Sequence, residues 1–425
     1  MDQVAERKGV RDRVRATSAE TLVALSGFGL IALHLLDDSF LQPEPGTAVA
    51  DHLFSGLLPL AVLAGAALVY TRLRPGLRAA LAAVLGIFGI VSGAVEPAFY
   101  GPKAGLSGDD FSGLVAAVAG LCLVILGLLT AWRGRKLDHP LAWRYGRRFL
   151  LGVAWVAGLY FVVFPLSLSY GFTHVARVET PHGNLGAPYA DVSFEASDGL
   201  RLDGWFVPSR NGAVVIVYPG KKGTQNHARM LVRHGYGVLV FDRRGEGTSE
   251  GDPNALGWGF DNDLKGALAY LRSRKVDPDR IGGLGLSVGG EALLQTAGET
   301  SAVKATVSEG AGARSVREDT VHVSASKIPE IWFSGVMTAG TALFSNRLPP
   351  PNLKGLAGRI QTPVFFVYAK KGAGGEDNNP DYYTAARGPK QIWKIDTSHT
   401  HGLTARPVEY ERRVVGFFDR AFSGD

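Results

Sequence analysis

Apolar and polar positions are spaced on two different scales along this chain. From Thr21 to about Phe172 the sequence runs in long apolar blocks, and from about Glu179 onward short apolar runs alternate with polar and glycine-rich stretches. A helix needs roughly 17–25 mostly apolar residues to cross the hydrocarbon core of a bilayer. Five blocks approach that length: Thr21–Phe40, Leu53–Thr71, Leu77–Ala94, Phe111–Trp132 and Phe149–Tyr170. The cores of the second and fourth carry no charge, and Gly and Ala recur in all five, as close helix packing in lipid favours. Short charged loops between successive blocks argue against buried helices of a water-soluble domain. The first block leads into Leu36-Asp37-Asp38 without a small-residue cleavage pattern, so it reads as an uncleaved span and not as a signal peptide.

The second half has a different period. Asp191–Ala196 and Leu200–Val207 flank the turn Ser197-Asp198-Gly199 and predict a hairpin. Ala213–Tyr218 and Gly237–Phe241 are continuous apolar runs, which fit strands buried on both faces of a parallel sheet. Further strands are expected at Arg280–Gly285, Val303–Val307, Val364–Tyr368 and Gln391–Ile395, with helices at Asn226–His234, Asp261–Arg274, Val288–Ala297 and Pro407–Phe422. This alternation predicts an α/β domain with a mostly parallel sheet covered by helices on both faces. The expected organisation is a transmembrane helical domain over 1–172, a connector over 173–189 and the α/β domain over 190–425. An apolar, partly helical insertion near 317–351 is a candidate lid, facing an acyl group, the bilayer surface or the sheet itself.

Charge changes this picture in one respect. The formal net charge of +6 could suggest nucleic acid. In the first half, however, the basic residues sit in three clusters beside apolar blocks: Arg7 to Arg15, Arg72 to Arg78, and Arg133 to Arg148. The other two loops carry Asp37, Asp38, Glu44, Asp51, Glu96, Asp109 and Asp110 against the single Lys103. That asymmetry is the signature of membrane topology and excludes a continuous nucleic-acid face. It puts the N-terminus in the cytoplasm, and five spans put the α/β domain outside the cell or in the periplasm. His34, Asp37, Asp38, Asp51, His52 and Glu96 then fall near the outer surface, either as a metal or substrate site or as tolerated loop residues. The lone Cys122 lies in an apolar block and permits neither an internal disulfide nor a zinc motif.

Candidate chemistry concentrates at Gly285-Leu286-Ser287-Val288-Gly289, a G-x-S-x-G pattern between a predicted strand and a predicted helix. In that context the serine sits on a tight strand-to-helix turn, and the N–H of the next residue, Val288, is an oxyanion donor. A second donor is expected in the loop after the Ala213–Tyr218 strand, at the Lys221 N–H.

With Tyr218-Pro219-Gly220, the turn Phe241 to Ser249 (FDRRGEGTS) and a histidine before the last helix, the chain resembles the α/β-hydrolase superfamily. It is similar to the prolyl-oligopeptidase-like and monoacylglycerol-lipase-like serine hydrolases over roughly Asp191–Phe422. One departure is Pro219-Gly220, where many relatives have His-Gly, and it bears on the second oxyanion donor. The resemblance implies the order nucleophile, acid, base. It implies His399 as base, with His401 as the alternative, and Glu376 as acid, with Asp377 or Glu309 as alternatives. His227 and His234 fall on a helix and read as structural. The implied chemistry is cleavage of an acyl or lipid ester through an acyl-enzyme, without metal or organic cofactor. A serine peptidase, a thioesterase, or a non-catalytic membrane sensor or transporter remain the alternatives.

Overall fold

The structure, a computed structural model, describes residues 18–43, 45–104, 106, 108–133, 140–175, 183–219, 224–314, 316–319, 328–372 and 374–423. The chain divides into two units. The first is built from α1 (Ser18–Leu36), α2 (Leu53–Val69), α3 (Pro75–Ala104), α4 (Gly108–Arg133) and α5 (Leu141–Gly158). A π-helical turn, Leu159–Val163, carries α5 on into α6 (Phe164–Thr173). Among the described residues five helical stretches are long and apolar enough to cross a membrane: Ser18–Leu41, Val49–Arg72, Pro75–Ala94, Asp110–Arg133 and Tyr145–Thr173. They coincide with the five apolar blocks. The α3 helix runs past the expected end at Ala94, because a charge such as Glu96 ends an apolar segment without ending a helix.

Glycines set the packing of α3 on α4. A Cβ at Gly93 would lie 2.0 Å from the Gly113 carbonyl oxygen, and one at Gly120 would lie 2.4 Å from that of Gly86. The two backbones are thus nearly in contact, an approach only small residues allow. Phe28, Ile31, Leu63, Tyr70, Leu85 and Leu123 form the interior, while Leu22, Leu68, Val118 and Leu128 point outward. Buried Arg78 and His34 both have partners on other helices. Glu20 accepts from Arg78 Nε at 2.8 Å, and His34 lies 3.1 Å from Ser112 Oγ and 3.3 Å from the Ser92 carbonyl, joining α1, α3 and α4.

The second unit holds an eight-stranded sheet of order β1-β2-β4-β3-β5-β6-β7-β8. Strands β1 (Ala190–Glu195) and β2 (Arg201–Val207) form the hairpin, turning through Gly199 at φ +90°. After β2, which is antiparallel to β4, all pairings are parallel. Strands β3 (Val214–Tyr218), β4 (Gly237–Phe241), β5 (Ile281–Leu286) and β6 (Ala305–Glu309) are buried along their whole length, which is why β3 and β4 read as unbroken apolar runs. Alternate residues feed two cores, Val215 and Val217 into one, Val214 and Ile216 into the other. The outer strands are β7 (Val364–Lys371) and β8 (Lys390–Ser398).

Helices α7 (Gln225–Arg233), α8 (Phe260–Ser273) and α9 (Val288–Glu299) follow β3, β4 and β5. Between β6 and β7 come α10 (Val316–Asp319), α11 (Ile328–Ser345) and α12 (Leu353–Ala357). Then α13 (Asn379–Ala385), α14 (Gly402–Ala405) and α15 (Pro407–Ser423) complete the chain. Of the insertion, Gly335–Asn346 belongs to the helical unit. Buried Arg244 bonds Asp198 of the hairpin turn at 2.7 Å and Asp263 of α8 at 2.7 Å, fixing the 241–249 turn beside β3. The strand order reverses between β3 and β5, and in open α/β sheets ligands bind beyond the carboxyl ends of strands at such a reversal.

Candidate active site

Ser287 stands at that position, between β5 and α9. Its backbone is at φ +55°, a conformation L-residues rarely adopt, so the surroundings must over-determine it. They do so through glycines. A Cβ at Gly285 would lie 2.4 Å from the Gly289 carbonyl oxygen, and one at Gly289 would lie 2.6 Å from that of Pro219. The Ser287 N–H donates to the Glu309 carbonyl at 2.8 Å, anchoring the turn to the end of β6. Val288 is the first residue of α9, where helix geometry leaves the N–H without an intrahelical acceptor. Gly289 also brings the elbow against the end of β3, where the loop with the second expected donor begins. Lys221 itself lies outside the described residues.

The structure brings three expected side chains together. His399 Nε2 lies 2.8 Å from Ser287 Oγ, and His399 Nδ1 hydrogen-bonds Glu376 Oε1. With the proton on Nδ1 donated to the carboxylate, Nε2 faces the serine hydroxyl as an acceptor. Glu376 is only 2% exposed, and its other oxygen accepts the Ala369 N–H at 2.8 Å. Gly372 is needed beside it, since a Cβ there would lie 2.6 Å from the carboxyl carbon. This set can pass a proton from a hydroxyl to an imidazole while a fixed carboxylate steadies the resulting charge.

The alternatives fall elsewhere. Asp377 is exposed, and His401 turns its Nδ1 to the His399 carbonyl at 2.6 Å. Glu309 is buried and occupied. Its Oε2 accepts from the Tyr410 hydroxyl at 2.5 Å and its Oε1 from the Gly402 N–H at 2.9 Å, while His227 Nε2 is 3.7 Å away. Burial opposes the charge on Glu309, but the His227 imidazole and these two donors outweigh it and hold the carboxyl below its ordinary range. Glu309 thus grips α15 and the segment just after the histidine, a role the sequence did not suggest. Tyr410, on the amphipathic last helix, looks like any core residue until its hydroxyl is placed.

Gly310 was also missed. It sits at φ +75°, and a Cβ there would come 3.1 Å from His399 Cε1. Glu291, on the buried face of α9, accepts the Gly312 N–H at 3.1 Å. Burial pushes its carboxyl up to about 7, against the opposing attraction of Arg314. A glutamate on the first turn after a nucleophile was the available signal. Among the described residues no group of three His, Cys, Asp or Glu is placed to hold a metal.

Fold and site define this unit as an α/β-hydrolase, an enzyme of the serine hydrolase type. Residues 181–400, just over half of the chain, match the family of the X-Pro dipeptidyl-peptidase (S15 family). The chain belongs to that family. YfhR of Salmonella typhi is 29% identical over 258 residues, which cover 57% of this chain and 85% of that protein. The quorum-quenching protein AidA of Acinetobacter baumannii is 34% identical over 132 residues, 28% of this chain and 42% of its own. Among solved structures, the esterase Pf2001 of Pyrococcus furiosus is 22% identical with a TM-score of 0.49, covering 59% of this chain and 98% of that one.

Proposed function

We propose that the protein is a membrane-anchored serine hydrolase that cleaves an ester through an acyl-enzyme. The observation that carries this reading is the 2.8 Å approach of His399 Nε2 to Ser287 Oγ on a strained elbow, with Nδ1 engaged by a buried carboxylate. In the proposed sequence His399 takes the Ser287 proton as Oγ attacks the carbonyl carbon. The oxyanion forms against the Val288 N–H and a second donor from the loop holding Lys221. His399 then protonates the leaving alcohol. Water, deprotonated by the same imidazole, releases the acid. Glu376 keeps the imidazole oriented and offsets its charge in both halves. None of these steps calls for a metal or an organic cofactor. The test is hydrolysis of p-nitrophenyl acetate by the full chain. A burst of nitrophenol followed by a slower steady rate, lost in Ser287→Ala, supports the reading. Equal rates in both proteins would end it.

The family match favours a second reading, a dipeptidyl-peptidase acting on an X-Pro amide. The same serine, base and oxyanion donors serve either bond. Turnover of an Ala-Pro p-nitroanilide faster than that of the nitrophenyl ester would select it. For the anchor, the five long apolar helices and the arginine clusters beside them support five spans with the N-terminus in the cytoplasm and the hydrolase unit outside. Protease added to intact cells should remove the hydrolase unit, and full protection would reverse this orientation.

A further inference from the structure

The insertion helix α11 has the wrong composition for a cover facing water. Its sequence, IPEIWFSGVMTAGTALFS, contains a single charged residue, Glu330, in the first turn. A helix lying on a domain surface in water carries charged and polar residues along its outer face, whereas beyond Glu330 the polar residues of α11 are only the small hydroxyls Ser334, Thr338, Thr341 and Ser345.

Its second part, from Gly335, is built into the helical unit. Ser169 Oγ of α6 lies 2.8 Å from the Met337 carbonyl oxygen. Gly340 permits this approach, since a Cβ there would lie 2.7 Å from Ser169 Oγ and 2.9 Å from Leu166 Cδ2. The Phe344 ring meets Tyr170 edge-on at 5.4 Å. Small residues and a shared hydroxyl at a helix crossing are how helices associate in lipid. Two hydroxyls of α11 are satisfied on its own backbone: Thr341 bonds the Met337 carbonyl at 2.9 Å and Ser345 the Thr341 carbonyl at 2.7 Å. A side chain that satisfies itself on its own helix leaves no polar group facing an apolar medium. The first part of α11 exposes Ile328 and Trp332, 59% and 56% accessible. Four residues apart, they share one face. Tryptophan is the side chain enriched where acyl chains meet headgroups.

We infer that α11 is a sixth membrane element, lying in the interfacial layer beside the end of the last span, with its Ile328–Trp332 face in the lipid. The inference rests on the membrane-anchored reading above. Its occupant is the bilayer itself, because the same helix is continuous with the packing of an apolar span and lacks the charges a soluble partner or solvent would meet.

Depth-dependent quenching tests this in the full chain, reconstituted in vesicles of phosphatidylcholine and phosphatidylglycerol. An environment-sensitive thiol label is placed at Trp332→Cys or, separately, Ile328→Cys, each in a Cys122→Ser background. Native Cys122, exposed on α4 within a span, is the lipid control. Lys370→Cys, on an exposed side chain of the hydrolase unit, is the water control. The expected result is strong quenching at 328 and 332 by lipids with a nitroxide near the headgroup, weaker quenching by nitroxide near the chain end, and little by aqueous iodide. Iodide quenching equal to that at position 370, with Cys122 still quenched by deep nitroxide, overturns the inference and leaves the anchor intact. Protection from both quenchers that grows with protein-to-lipid ratio assigns the face to a second copy and also overturns it. Loss of lipid quenching at Cys122 removes the anchor, and the inference with it.

Discussion

Replacing Glu309 by glutamine separates a residue that grips the base loop from one that merely fills the core. The carboxylate accepts two hydrogen bonds, from the Tyr410 hydroxyl at 2.5 Å and the Gly402 N–H at 2.9 Å. Bonds to a charged acceptor contribute about 1.5–3 kcal/mol each, against about 1 for neutral ones. Glutamine keeps one carbonyl acceptor and turns an NH2 group toward the other donor, so each bond loses its charge assistance or its direction. The expected loss of restraint is about 1–3 kcal/mol, felt three residues beyond His399. If that restraint holds the imidazole against Ser287, kcat on p-nitrophenyl acetate should fall roughly tenfold to a hundredfold. KM should change little, because Glu309 touches no substrate. Tyr410→Phe removes one donor, keeps the Gly402 bond, and should give a smaller fall in the same direction. The assay is steady-state kinetics beside a thermal melt of each variant. A melt lowered by several degrees with kcat within about twofold of wild type would refute the reasoning and leave Glu309 a packing residue.

Gly310→Ala adds a Cβ 3.1 Å from His399 Cε1 at a left-handed position, so kcat should drop by more than the ~1–2 kcal/mol backbone strain seen in the melt; equal losses in kinetics and stability would contradict it. Glu291, pushed up to about 7 by burial, keeps its proton where the unfolded chain has lost it, so the stability it contributes is full below pH 4.5 and is lost as pH rises toward 7. Arg314, Glu318 and the His399 imidazole face it, and Glu291→Gln should flatten the fall in melting temperature between about pH 5 and about pH 8. Gly93→Leu drives a side chain into the Gly113 carbonyl and should abolish the monodisperse detergent-solubilised protein on size exclusion.

Much of the fold was legible because its signals are local. The β3 and β4 runs are apolar throughout since both faces of each strand are covered, and the glycines around Ser287 mark a turn with no room for Cβ atoms. The candidate acid was harder. Glu376, Asp377 and Glu309 all stand at suitable chain positions, and only packing distinguishes a buried carboxylate on His399 from an exposed one and from one already engaged. What binds Glu309 lies 93 and 101 residues away in sequence, beyond any periodic signal. The same holds for α11, whose apolar character is plain while its partner Ser169 is 168 residues from Met337. Glu291 escaped notice because its raised affinity for a proton comes from burial, which composition does not report.

The central claim is that Ser287 is a nucleophile activated by His399. The most direct measurement is intact-mass and peptide mapping of the full-length protein after treatment with a fluorophosphonate. The account predicts one adduct, on Ser287, that disappears in Ser287→Ala and forms far more slowly in His399→Ala. An unmodified Ser287 in folded protein, or labelling at the same rate without His399, would contradict it.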